Sequence, residues 1–153
     1  KNEIGGTEFT YILWYYVDDW SYNYGQYKHM FHKGSYGGKY LMAPAVFLDK
    51  IQNNLIIVMN TYNSNPEQLP AESKGIYEVA KVTGIPLNKW VQLSLNVNQT
   101  SMDVYINGNL KLSHQFKNVP RQNYGNLYIN GPYNLFDFNK REKAHLLATR
   151  PKW

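Results

Sequence analysis

The stretch 90–112 constrains this chain more than any other. Val91, Leu93, Leu95 and Val97 alternate with Gln92, Ser94 and Asn96. Successive side chains of a strand point to opposite faces, so this is a strand with one buried and one wet face. The turn Asn98-Gln99-Thr100-Ser101 leads into Met102, Val104 and Ile106, which alternate with Asp103 and Tyr105. Asn107-Gly108 follows, a pair that tolerates the positive φ a tight hairpin needs at both central positions. Leu110, Leu112 and Phe116 continue on the return strand. The pattern predicts a three-stranded antiparallel meander. Its apolar face has to be buried against a second layer.

The rest of the chain reads in the same way. Residues 8–17 place Phe9, Tyr11, Leu13, Tyr15 and Val17 on one face and Thr10, Ile12, Trp14 and Tyr16 on the other. Both faces are largely apolar or aromatic, so this strand is expected to be covered on both sides. Further strands are predicted over 27–33, 45–49, 54–60, 76–82 and 126–130, with 45–60 as a hairpin. Residues 18–25 and 61–75 read as loops. Toward the end, Leu135, Phe136 and Phe138 suit a short closing strand, and Asn139 suits the cap of a short helix over 140–149 that Pro151 ends. Short strands with turn signals, and no helix spacing between them, point to an all-β, antiparallel two-sheet sandwich over 1–139. A basic C-terminal tail or short helix over 140–153 completes it.

The chain has 153 residues, enough for one domain with a core of its own, and no cysteine. Thiolate chemistry and disulfide staples are therefore excluded. The formal net charge of +5 is not spread over the sheets. Residues 1–139 hold 11 Lys and Arg against 10 Asp and Glu, whereas 140–153 hold five against Glu142 alone. The excess is a tail, and no basic stripe interleaved with aromatics marks a nucleic-acid surface. No run approaches the ~20 apolar residues of a membrane span. The chain begins at Lys1 with no secretory signal in view, which reads as a processed or excised piece.

Four segments carry a resemblance. Phe9-Thr10-Tyr11-Ile12-Leu13-Trp14, His29-Met30-Phe31-His32-Lys33-Gly34, Ile85-Pro86-Leu87-Asn88-Lys89-Trp90-Val91 and Met102-Asp103-Val104-Tyr105-Ile106-Asn107-Gly108 match in order and spacing. They resemble the concanavalin-A-like lectin/glucanase superfamily in its laminin-G-like branch, over about residues 9–130. The resemblance implies a jelly-roll sandwich. It also implies a lectin-like module that binds carbohydrate or a protein surface. The loop after Asp18-Asp19-Trp20 and the step Asn118-Val119-Pro120 are similar to domains encoded by large DNA viruses. That narrower likeness implies a structural or assembly role, an oligomer or particle, and a place on a virion or extracellular surface. The family usually closes with a longer aromatic strand, and 133–153 departs from that pattern.

Candidate chemistry is sparse. Glucanases of the superfamily carry Glu-x-Asp-x-x-Glu, with carboxyls about 5 Å apart for retaining hydrolysis. The triplet is absent here and the strand 76–82 holds only Glu78, so a glucan hydrolase is disfavoured and a non-enzyme is expected. His29 and His32 lie three apart, which on a regular strand puts them on opposite faces, so they read as ordinary strand histidines. Calcium is the more credible metal, since laminin-G-like domains often hold one at a rim. Asp18, Asp19, Asp49, Asn53 and Asn54 are loop oxygens of the right kind, but they read better as turn formers. Sugar rings stack on aromatics, and loops on a rigid sandwich often carry binding sites. Trp20, Tyr22, Tyr24, Tyr36 and Tyr62 are therefore the candidate ligand-binding residues. Trp14, Tyr16 and Trp90 read as packing residues. Asn98-Gln99-Thr100 matches a glycosylation acceptor set in a turn.

Overall fold

The computed structural model describes residues 7–35, 41–62 and 76–131. Nine strands form among them: β1 Glu8–Tyr16, β2 Lys28–Gly34, β3 Met42–Leu48, β4 Leu55–Thr61, β5 Ile76–Val82, β6 Trp90–Asn98, β7 Ser101–Ile106, β8 Asn109–Gln115 and β9 Asn126–Ile129. They make two antiparallel sheets, ordered β1-β6-β7-β8 and β5-β4-β3-β2-β9. This is the all-β sandwich expected from the sequence. The described residues contain no helix long and apolar enough to cross a membrane. The closing strand at 135–138, the boundary after 139 and the helix over 140–149 lie outside the described residues.

The core sits between the sheets. Val91, Leu93, Leu95 and Val97 of β6 are fully buried, as are Met102 and Val104 of β7. They meet Leu55, Ile57 and Met59 of β4 and Val46 of β3. Each such side chain contributes about 1.5–3 kcal/mol by leaving water. The Asn107-Gly108 turn forms as expected, with φ of 50° and 78°. β3 and β4 are buried along their whole length, because the outer face of their sheet holds a second apolar cluster of Met42, Ala45, Phe47, Ile56 and Val58. Their unbroken apolar runs reflect that double cover.

Two irregularities change what the sequence pattern implies. In β8 the register shifts between Val104 and Tyr105, so that Leu112 faces Val104 while Leu110 faces Tyr105 on the outer side, exposed. In β2 the register shifts between His29 and Phe31. Met30 and Phe31, adjacent in sequence, both enter the inter-sheet core. His29 and His32 then emerge together on the outer face, with their rings 5.0 Å apart. The expectation of opposite faces fails because a bulge adds a residue to the count and reverses the alternation beyond it.

β1 is a further correction. Its inner residues Phe9, Tyr11 and Leu13 pack on the core, but its outer residues Ile12, Trp14 and Tyr16 are exposed.

Truncating the core and trimming the wet face of one strand should therefore differ sharply. Leu95→Ala should lower unfolding free energy by about 2–5 kcal/mol, and Ser94→Ala by no more than about 0.5. Urea unfolding curves of the two variants measure this directly. Equal effects would mean that the assigned faces of β6 are wrong.

Candidate functional site at the β1 edge

β1 ends the four-stranded sheet and β9 ends the five-stranded one. Among the described residues, neither has a second strand partner. A cleft of about 1400 Å³ opens between them. One wall runs from Tyr11 to Asp19, and the other comes from Lys28–Phe31 of β2 and from Leu127, Ile129, Asn130 and Gly131. Tyr22, Asn23 and Gln26 of the following loop and Trp90 of β6 complete the rim.

The register of β1 with β6 builds an aromatic surface beside this cleft. Tyr16 lies opposite Trp90 and Trp14 opposite Gln92, all on the outer face. Their relative exposures are 60% for Trp14, 46% for Tyr16 and 65% for Trp90. The Tyr16 and Trp90 rings meet edge to face, with centroids 5.8 Å apart. Further along the same face, the Thr10 hydroxyl donates to Asn96 Oδ1 at 3.0 Å.

Asp19 shapes the loop. It accepts the backbone N–H of Ser21 at 2.7 Å and also the Ser21 hydroxyl. Those hydrogen bonds, the hydroxyl's first, hold the Asp19 carboxyl below its ordinary range. Asn23 and Gly25 supply positive φ, and the Gly25 N–H donates to the Lys50 carbonyl at 2.9 Å.

Of the residues singled out in the sequence, Tyr22 lies on the cleft and is largely exposed. Trp20 packs against the core, with the Lys28 ammonium 5.2 Å from its ring centroid. Tyr24 is exposed on the same loop but does not line the cleft. Tyr62 follows β4, where its N–H donates to the Val119 carbonyl and Arg121 sits over its ring. It belongs to a different part of the surface. Tyr36 lies outside the described residues. Sequence reasoning missed Trp14, Tyr16 and Trp90. The signal was present: Trp90 begins the wet face of β6, in phase with Gln92, Ser94 and Asn96.

Glu78 and Asp49 are occupied. Glu78 accepts the backbone N–H groups of Lys117 and Asn118 and pairs with His114 at 3.4 Å. Asp49 pairs with Lys81 at 3.3 Å and accepts from Asn54 at 3.0 Å. Asn54 Oδ1 accepts the Gly84 N–H, and Asn53 donates to the Ile85 carbonyl. A calcium ion would have to displace an ammonium and break these turns. Asp49, Asn53 and Asn54 do not fit one. Among the described residues no three His, Cys, Asp or Glu side chains gather as metal ligands would. The Asn98-Gln99-Thr100 turn is exposed.

Burial tunes two groups at the cleft. Tyr15 is about nine-tenths buried and, among the described residues, its hydroxyl has no hydrogen-bond partner. Desolvation pushes its phenol up to about 12. Tyr15→Phe removes an unsatisfied polar atom, so it should leave stability unchanged or raise it by up to about 1 kcal/mol in chemical unfolding. A clear loss would mean that the hydroxyl has a partner after all. His29 is lowered from 6.5 to about 4, by desolvation first and by His32 second. The unfolded chain therefore binds more protons than the native one between these values, and stability is lost as pH falls. Thermal unfolding should move to lower temperature as pH drops from 6.5 toward about 4. Replacing His29 with Phe should shrink that slope.

In comparison with known proteins, residues 2–138 match a laminin-G-type family model, described as the concanavalin A-like lectin/glucanases superfamily. No curated protein matches the chain.

Proposed function

Because the chain belongs to the concanavalin A-like lectin/glucanase superfamily, whose members commonly serve as carbohydrate- or partner-binding modules, we propose that it is a non-catalytic carbohydrate-binding module whose saccharide lies along the β1 edge. One observation supports this above the others. Trp14, Tyr16 and Trp90 stand exposed as a group on a sheet, beside an open cleft. Large aromatics grouped in water forgo burial free energy, and such patches mark contact surfaces. Pyranose rings present apolar C–H faces that suit indole and phenol rings. Gln92, opposite Trp14, and Asp18, Asn23 and Gln26 at the cleft offer directional hydrogen bonds to hydroxyls. Tyr22 extends the surface into the loop.

The family is generally non-catalytic, and the occupied states of Glu78 and Asp49 agree with that reading. A second reading has its own support. Among the described residues the outer edge of β1 has no strand partner, and Ile12 is exposed and shares the cleft lining with Leu127 and Ile129 of β9; such an edge is a template on which another chain can add. That suits an assembly role, including the particle component implied by the likeness to domains of large DNA viruses.

A glycan array followed by titration of the best ligand tests the first reading. Trp14→Ala and Trp90→Ala should each weaken binding by about tenfold or more, with little change in thermal stability, since both rings are exposed. Tyr62→Ala should bind like the unaltered chain. Absence of any glycan ligand, or full affinity in Trp90→Ala, sinks the proposal. Concentration-dependent association in sedimentation, abolished by Ile12→Lys, would favour the assembly reading instead.

A further inference from the structure

The bulge in β8 sets Leu110 on the outer face of the four-stranded sheet, opposite Tyr105 of β7, where its relative exposure is 54%. Bulges commonly re-aim a side chain for a role at the surface. The same face carries Ile12, Trp14, Tyr16 and Trp90, all exposed. Ile12 lies opposite Ser94, and Ser94 lies opposite Tyr105. One row therefore crosses all four strands: Ile12, Ser94, Tyr105 and Leu110. Trp14 and Gln92 stand one row nearer to the Tyr16–Trp90 pair. A contiguous set of large apolar side chains thus faces water, where scattered single ones are the norm.

Strand spacing and rise put the backbones of Trp14 and Tyr105 about 12 Å apart, and those of Trp14 and Leu110 about 16 Å apart. Either span exceeds one pyranose ring. Between the apolar ends lie Gln92 and Ser94, half-buried, whose side chains make no hydrogen bond among the described residues. Asn96, in the following row, instead accepts from Thr10 at 3.0 Å. The track itself carries no charge. Asp103 belongs to the row of Asn96 and Ser113, and Lys111 is the extra residue of the bulge. The face is also open, unlike the enclosed pockets that hold small ligands. A sugar stacked on it touches protein from one side only, so firm binding requires several consecutive rings.

We propose that this face binds an internal stretch of an uncharged, extended polysaccharide, which enters at Trp14 and crosses the sheet to Tyr105 and Leu110. The inference rests on the reading of the β1 edge as a saccharide site, and adds to it the class of saccharide and two far contact residues. Trp14 and Trp90 stack the first sugars. Gln92 and Ser94 hydrogen-bond hydroxyls in the middle of the track. Tyr105 and Leu110 give apolar surface to the sugar beyond. β8 is the last strand of its sheet among the described residues, so a longer chain runs on past Leu110. An uncharged chain suits an uncharged track, whereas an acidic one would find no cation between Trp14 and Tyr105.

Calorimetric titration with cello-, xylo-, manno- and chito-oligosaccharides, each from monosaccharide to hexasaccharide, tests this. At least one series should bind, its hexasaccharide about tenfold or more tighter than its disaccharide. Capping either end of that hexasaccharide should not matter. Added salt should not matter either, since it screens only contacts between charges. Tyr105→Ala and Leu110→Ser should each weaken the hexasaccharide by about fivefold or more and leave the disaccharide, held at Trp14 and Trp90, unchanged. Tyr105→Phe should keep full affinity. Leu110 is exposed, so its variant decides the matter if Tyr105→Ala fails to fold. Affinity that is equal at all lengths, needs a free chain end or falls with salt overturns the proposal. So does full hexasaccharide affinity in both variants; if Trp90→Ala still weakens binding, the β1 site then stands without the track. Failure of every series, with a charged or branched ligand found on the glycan array, overturns this inference alone. Failure of the array as well overturns the proposed function with it. Self-association abolished by Leu110→Ser, with no saccharide bound, assigns the face to a second copy of the chain and overturns both.

Discussion

Burial of one face of β6 governs most of what this molecule displays. Val91, Leu93, Leu95 and Val97 are enclosed between the sheets, and that fixes which way every other residue of the strand points. A slip of one residue would turn the whole apolar set to solvent, so the register with β1 and β7 is strongly specified. The aromatic surface follows from it. With Leu13 opposite Leu93 in the core, Trp14 falls opposite Gln92 and Tyr16 falls opposite Trp90 on the wet face. A surface suited to stacking is thus held by strands whose opposite face is buried in the core, with no loop needed to position it.

Bulges supply what regular alternation cannot. In β8 one turns Leu110 outward while Leu112 stays under cover. In β2 one brings two histidines that a regular strand would separate onto the same face, in hydrogen-bond contact. Both lie where strand pairing is interrupted, the usual setting for side chains that are re-aimed. At the end of the β2–β9 ladder the Gly131 amide donates to His29 Nδ1 rather than to a backbone carbonyl.

The polar residues of the loops are largely spent on local architecture. Asp19 holds the turn at Ser21, Asn54 bridges Asp49 and Gly84, and Glu78 gathers the amides of Lys117 and Asn118. The oxygens of Asp19, Asp49, Asn54 and Glu78, which suggest a metal or an acid pair on inspection, are already hydrogen-bonded. An open surface rich in aromatics and amides remains at the β1 edge.

The strands themselves were legible in the sequence, because period-two alternation and the Asn107-Gly108 turn are local signals that act over a few residues. The meander β6-β7-β8 and the β3-β4 hairpin needed no further information. The site was legible only at Tyr22. Whether an apolar strand face meets a second layer or water depends on the supply of layers, a property of the assembled chain. That is why Trp14, Tyr16 and Trp90 read as packing residues and stand exposed. Trp20, on a loop and so read as a contact residue, packs against the core for the same reason. A bulge is likewise invisible in composition, because it is settled by which registers the neighbouring strands can satisfy. Local chemistry therefore determined where this chain extends and turns. Tertiary structure alone decided which faces are wet and that His29 and His32 touch.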